Sequence, residues 1–316
     1  MLKPIKLNPE FKEIIWGGNK LKTDYNKVSN LKNIAESWEL TVRNDGMNTI
    51  NDGEFNGFTM QEYIDKNGFS VVTDKELDRF PLLIKFIDAE DNLSIQVHPD
   101  DEYALDKANS LGKTEMWYVI DAKPGAKLVY GLKPGCDVQS LGEAISNGTV
   151  EEQLNYVSVK KGDVFFIPSG LVHAIGAGIL LAEIQQNSNI TYRVYDYNRV
   201  GKDGKPRELH ITDALNVIVN RNEYEINKIR YSKGEKTDTC LASCEFFTVN
   251  KYNLNGEISL STCKESFNSV LCLDGEAKII YQDMEFPVVK GDSYFVPANI
   301  GDYKILGKAE IIVSEI

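Results

Sequence analysis

Residues 161–175 read KGDVFFIPSGLVHAI, and residues 290–304 read KGDSYFVPANIGDYK. In both, a Lys-Gly-Asp turn leads into a short apolar run that stops at a proline, Pro168 or Pro297. Glycine supplies the backbone freedom of a tight turn, and proline ends a strand that cannot take another ladder bond. Each stretch therefore predicts a β-hairpin, with VFFIP as a buried strand and the next strand beginning near residue 173. Gly162, Asp163 and Pro168 align with Gly291, Asp292 and Pro297, while His173 falls on Asp302. The repeat predicts two β-rich units. The second keeps the hairpin and has lost the imidazole.

Outward from this hairpin, the next informative stretch is LSIQVHP, residues 93–99. Ser94, Gln96 and His98 alternate along an apolar, β-branched run, so a strand here points all three to one face. Serine, amide and imidazole are poor core material, and the face reads as the floor of a polar pocket. The chain has three histidines, and two of them, His98 and His173, lie in these two segments. A single histidine on a strand is more often a satisfied core or surface residue than a ligand. His210 is read that way, on the polar side of a helix.

The spacing Gly162-x5-Pro168-x-Gly170-x2-His173 resembles the second signature of the cupin superfamily. The first signature of that superfamily carries a His-x-His pair and then a glutamate. Here Gln96-x-His98 stands for the pair, and Glu115 follows only after the insertion PDDEYALDKANSLG. That combination, with Gly112-Lys113-Thr114 before Glu115, resembles the type I mannose-6-phosphate isomerases. Trp16-Gly17-Gly18, Glu36-Ser37-Trp38, the run from Pro81 to Lys85, and Glu183 followed by QQNSNITYR ending in Arg193 add to the resemblance. It runs from about Trp16 to about Arg199 and lacks a long helical insertion, as in a short bacterial form.

The resemblance implies a mainly β, double-cupin fold with short helical segments. Residues 1–230 would form a metal-binding catalytic cupin domain with helical insertions, and residues 231–316 a cupin-like β domain without metal. It implies that Gln96, His98, Glu115 and His173 surround one metal, with Gln96 binding directly or through water. Two imidazoles and a carboxylate suit Zn²⁺, one per chain, and equally admit iron, manganese or cobalt. The implied reaction is aldose–ketose interconversion of mannose 6-phosphate and fructose 6-phosphate through an enediol-like state. A metal would stabilise the developing oxyanion, and a base would carry the proton. Arg193, permanently protonated, is expected to stabilise charge. Lys113, whose pKa a nearby metal would depress, and Glu183 are both candidate proton shuttles. Ser94 and Lys85 are expected to contact substrate. A non-catalytic sugar-binding or regulatory cupin and an iron-dependent cupin oxygenase are the alternative readings.

Composition sets the outer bounds. A chain of 316 residues, 42% hydrophobic and 26% charged, suits a globular protein with one or two cores. The net charge of −12 argues against nucleic-acid binding. It also requires a locally positive pocket for a phosphosugar, for which Lys85, Lys113 and Arg193 are the expected cations. No apolar run is long enough for a membrane span, and the N-terminus lacks a signal peptide's apolar stretch. The five cysteines lack a paired zinc-binding spacing and are expected to be buried, reduced thiols of a cytoplasmic protein. Helices are predicted at 58–67, at 73–80 entered through Thr73, at 100–110, at 136–148 capped by Asp137 or Ser140, at 149–157 and at 208–218. The loop 198–207 is expected to be exposed. The C-terminal unit is expected to cover sheet edges and wall the cleft.

Overall fold

The structure, a computed structural model, describes residues 1–51, 53–201, 204–219, 230–231 and 238–316. Antiparallel strands dominate. A seven-stranded sheet runs in the order Arg230–Tyr231, Val164–Ile167, Glu115–Ala122, Ile179–Gln186, Leu82–Ala89, Glu36–Leu40, Glu10–Lys12. A five-stranded sheet runs Leu154–Ser158, Lys127–Leu132, His173–Ile175, Ile95–Val97, Tyr192–Tyr195. Side chains of both sheets share one core, including Ile87, Trp117, Leu128, Tyr130, Phe165 and Ile175.

The strands Leu82–Ala89 and Ile179–Gln186 are buried along their whole length. Alternation explains how a strand can carry Lys85 or Glu183 and still be buried. Ile87 and Leu181 face the core shared with the five-stranded sheet. Leu82, Ile84, Phe86, Ala182 and Ile184 face the other way, into a core with Phe247, Leu271, Phe295 and Ile312. The C-terminal unit thus covers a face of the seven-stranded sheet. Its own nine-stranded sheet takes in the chain's first strand, Ile5–Asn8, which pairs with Ser293–Val296 and with Thr49–Ile50.

Both hairpins form. Val164–Ile167 and Ser293–Val296 are strands, and His173–Ile175 and Gly301–Glu315 follow them. Gly162 and Gly291 sit at φ +85° and +90°, the left-handed region that the repeated turn requires. His173 is fully buried, whereas Asp302 is exposed and pairs across to Ser261. Replacing Asp302 with alanine is therefore expected to leave steady-state turnover within a few-fold. A large loss at unchanged melting temperature would place Asp302 in a site.

Four of the six predicted helices appear, as Met60–Asn67, Asp101–Ala108, Val138–Asn147 and Ile211–Val217. Thr59 and Glu62 close a capping box on the first, and Asp137 with Ser140 on the third. The helix expected at 73–80 is absent. The Thr73 hydroxyl donates to Glu265 O (2.7 Å) and accepts the Lys75 amide (3.0 Å), and the Asp74 amide donates to Lys264 O (2.8 Å), so the segment is held in a turn tied to the C-terminal unit. The helix expected at 149–157 is one short turn, Val150–Gln153, followed by the strand Leu154–Ser158 on the sheet edge. His210 stands before its helix rather than on it. It is half-buried, and its Nδ1 accepts the Arg193 amide at 3.3 Å. Among the cysteines only Cys136 and Cys272 are buried. Cys240 and Cys263 are exposed, and none is in a disulfide. No helix among the described residues is long and apolar enough to cross a membrane.

Candidate active site

Two cross-strand rows face each other inside the N-terminal unit. On the five-stranded sheet, Tyr130 pairs with His173, His173 with Gln96, and Gln96 with Arg193. On the seven-stranded sheet, Trp38 pairs with Lys85, Lys85 with Glu183, and Glu183 with Trp117. Register alone therefore gathers residues that lie up to 145 positions apart in sequence (Trp38 and Glu183). Such lateral neighbours stand close enough for their side chains to interact directly.

His98, Glu115 and His173 lie where the rows meet. One ligand atom of each falls within 4.8 Å of the others, and all three are buried. The His98 Nδ1 faces Ile190 O at 2.8 Å and the His173 Nδ1 faces Leu171 O at 2.8 Å. A carbonyl can only accept, so each Nδ1 carries the proton and donates it. Each Nε2 then bears a lone pair, and the two Nε2 atoms stand 3.1 Å apart. Burial, with the Lys113 charge beside it, pulls His173 down to about 3, and burial likewise holds His98 well below an ordinary histidine. Both rings are neutral ligands in waiting. The Glu115 Oε1, 3.5 Å from His173 Nε2, has no hydrogen-bond partner. Two opposed lone pairs and an orphaned buried carboxylate oxygen fit a shared divalent cation. The Lys113 ammonium supplies the positive charge here, bonded to Glu115 Oε2 and 3.0 Å from His98 Nε2. Gln96 adjoins the cluster through its amide nitrogen, 3.4 Å from His173 Nε2.

Local backbone features bring these ligands together. The Gly170 amide donates to His98 O at 2.8 Å, so the Pro-x-Gly turn that precedes His173 also holds His98. Gly112 lies against the start of the helix Asp101–Ala108, where an added Cβ would sit 2.4 Å from the Asp100 carbonyl carbon. Its amide donates to Asp101 Oδ1 at 2.6 Å, and the Lys113 amide to Pro99 O at 3.0 Å. The inserted helix is thus folded back on itself, which returns Glu115 to His98 despite the long sequence gap.

Beside the cluster opens a cavity of about 260 Å³, whose lining includes Lys85, Ser94, Gln96, Lys113, Glu183 and Arg193. The Glu183 Oε1 lies 3.1 Å from Lys85 Nζ and 3.9 Å from Lys113 Nζ, and its Oε2 accepts the Trp117 indole N–H at 2.9 Å. Burial alone would raise the Glu183 carboxyl, but the two lysines outweigh it and hold it below the usual carboxylate range. Burial, reinforced by Glu183, pushes Glu115 up. Lys85 also lies 3.6 Å from Glu36 and 5.4 Å from the Trp38 ring centre. Burial would push its ammonium down, yet Glu36 and Glu183 hold it above an ordinary lysine. Arg193 donates to Glu208 O at 2.8 Å and to Ser94 Oγ at 3.3 Å.

Every site residue expected from sequence therefore reaches this cluster or its cavity. Asn189, Thr191 and Arg207 also line it and were not anticipated. Arg207 ends the loop 198–207, whose glycines and proline read only as exposed chain. Its side chain and that of Arg199 are both bound to Asp196. Among the described residues the cavity lining comes from positions 14–207, so the C-terminal unit does not wall it.

Comparison with known proteins follows the same lines. The family model described as phosphomannose isomerase type I, catalytic domain, matches residues 5–123, and that described as mannose-6-phosphate isomerase, cupin domain, matches residues 236–316. The mannose-6-phosphate isomerase ManA of Bacillus subtilis (strain 168) is 39% identical over 316 residues, covering 99% of each chain. The mannose-6-phosphate isomerase of Streptococcus mutans serotype c is 34% identical, covering 99% of this chain and 98% of its own. The crystal structure of the mannose 6-phosphate isomerase from Bacillus subtilis superposes with a TM-score of 0.88 at 35% identity, covering 99% of this chain and 100% of its own.

Proposed function

This chain belongs to the type I phosphomannose isomerases, and from that premise we propose that it interconverts mannose 6-phosphate and fructose 6-phosphate with a divalent metal. The observation that carries the reading is one cavity lined at once by Gln96 and Lys113, which touch the His98–Glu115–His173 cluster, by Glu183 with Lys85, and by Arg193. A sugar-binding cupin has no use for a carboxylate held ionised beside a metal site, and an iron oxygenase has no use for the surrounding cations.

His98, Glu115 and His173 hold the metal, with Gln96 as a fourth donor directly or through water. Their nitrogen and oxygen donors suit one Zn²⁺ per chain. The bound cation supplies Lewis acidity for the negative charge that develops on the sugar oxygens. Glu183 takes the proton from C2 and returns it to C1, while the O2 hydroxyl proton passes to O1, so that C1 becomes the hydroxymethyl carbon and C2 the carbonyl. It is ionised at neutral pH, so it needs no prior deprotonation. Lys113 donates to a substrate oxygen. Lys85 keeps Glu183 ionised and contacts a sugar hydroxyl, and Ser94 contacts hydroxyl or phosphate. Arg193 stabilises the developing charge through its planar fork. A phosphorylated sugar carries too much charge to cross a cell membrane unaided, which supports a reaction in the cytoplasm.

An assay coupled to fructose 6-phosphate formation, run beside elemental analysis of the same preparation, tests the reading. The expected result is turnover that scales with bound metal and reaches about one ion per chain. Metal-loaded protein that forms no fructose 6-phosphate would overturn it.

A further inference from the structure

We propose that Arg207 is a substrate-binding residue which holds the phosphate of the substrate in the part of the cavity beside Arg193, and that Asp196 is the positioning residue that aims it. The proposal rests on the isomerase reading above and adds to it the phosphate end of the cavity.

Arg193 and Arg207 both line the cavity. The two buried lysines there are already faced by carboxylates, Lys85 by Glu183 and Glu36 and Lys113 by Glu115, so their charge is spoken for within the protein. The arginines differ. The Asp196 carboxylate, with only 5% of its side chain exposed, accepts from Arg207 Nε at 2.7 Å, from Arg207 Nη2 at 2.5 Å and from Arg199 Nη2 at 2.6 Å. One negative charge is thus divided between two guanidiniums, and Arg193 stands beside them bound to a carbonyl and a hydroxyl rather than to a carboxylate. The other nearby acids, Asp91 at 3.5 Å from Arg199 and Glu208, are largely in solvent, where their charge is screened. The cluster therefore keeps an excess of positive charge next to the cavity, on a protein whose net charge is −12.

The backbone is bent to make this cluster. Tyr197 and Asn198 follow Asp196 with φ of +55° and +53°, two successive non-glycine residues in the left-handed region. That conformation is costly and persists only where the surroundings enforce it. Here it turns the chain so that the Arg199 amide bonds Asp196 O at 3.1 Å, and its side chain returns to the Asp196 carboxylate. Arg193 is itself partly desolvated and feels the positive charge of Arg207, an arrangement that an incoming anion relieves. A phosphate dianion supplies that anion, and its oxygens match the paired N–H groups of a guanidinium.

Calorimetric titration with inorganic phosphate and with mannose 6-phosphate, alongside steady-state kinetics, tests the clamp. Arg207→Gln removes one cation while Asp196 keeps its bond to Arg199, so the turn retains a partner. Both ligands are expected to bind that variant roughly 10- to 100-fold more weakly, the scale of losing a charge-assisted pair of hydrogen bonds. KM for mannose 6-phosphate should rise by a similar factor, with kcat changing much less. Arg207→Lys, which keeps the charge without the fork, should fall between the two. Asp196→Asn should weaken phosphate binding and leave Arg207→Gln little further to lose when the two are combined. Unchanged binding of both ligands in Arg207→Gln, or a fall in kcat at constant KM, would overturn the clamp. Should Arg207→Gln fail to fold, unaltered phosphate affinity in Arg207→Lys would overturn it instead. Wild-type protein that binds mannose 6-phosphate without converting it would defeat the isomerase reading and leave the clamp standing.

Discussion

Protein carrying His98→Ala or His173→Ala is expected to purify folded, without stoichiometric metal, and with turnover reduced by about 10³-fold or more. The size follows from the chemistry. Lewis-acid stabilisation of the oxyanion contributes several kcal/mol, and each ~1.4 kcal/mol is a tenfold change in rate. The fold should survive because neither imidazole belongs to the apolar cores. The core around Trp117, Tyr130 and Phe165, and the sheet pairings beside it, remain complete. Each variant also removes one of the two opposed Nε2 lone pairs, which offsets part of the cost of the cavity it leaves. Elemental analysis, the coupled assay and a thermal melt on the same sample decide the matter. Stoichiometric metal together with full turnover in either variant would remove that histidine from the ligand set.

The second expectation separates proton transfer from charge stabilisation. Glu183→Gln keeps shape and hydrogen-bonding capacity but removes the carboxylate proposed as the base. It should lower kcat by about 10³-fold or more and stop exchange of the C2 proton of mannose 6-phosphate with solvent, at the upper part of the range for positioned general bases. It also strips Lys85 and Lys113 of a buried counter-charge, so some loss of melting temperature is expected with it. Arg193→Lys keeps a positive charge and loses the planar fork that now reaches Glu208 O and Ser94 Oγ. Its turnover should fall by about 10²-fold, the scale of losing one preorganised donor, with the pH optimum nearly unmoved because the arginine does not titrate in that range. Arg193→Ala should lose C2 exchange as well, since the enediol-like state is no longer stabilised. Rapid exchange persisting in Glu183→Gln would move the base to Lys113. Rapid exchange in Arg193→Ala, with only substrate affinity weakened, would reduce Arg193 to a phosphate contact.

Which features were legible from the chain alone depends on where their energy comes from. The repeated hairpin was legible because Gly162, Pro168 and their counterparts Gly291 and Pro297 act on their own backbone, and such constraints do not wait for a partner. The polar face of Ser94, Gln96 and His98 was legible because strand alternation is local. The helices that formed as expected, Met60–Asn67 and Val138–Asn147, carry capping groups three residues apart that satisfy their own first turns. Where a segment's polar groups found distant partners, the local reading failed. Thr73 and Asp74 are tied to Glu265 and Lys264, and Leu154–Ser158 was drawn onto a sheet edge.

The composition of the site divides in the same way. The sequence by itself determined the residue types of the candidate cluster and the two hairpins, the second without its imidazole. Only the tertiary structure decided that Lys85 and Glu183 are lateral partners, that Gly112 folds the insertion back to return Glu115 to His98, and that Asp196 holds Arg207 at the cavity. It also decided that the C-terminal unit lies against the far face of the seven-stranded sheet and, among the described residues, contributes nothing to the cavity lining. Ion pairing and burial depend on strand register and on which faces meet. Those are properties of residues far apart in the chain, and no spacing within a segment encodes them.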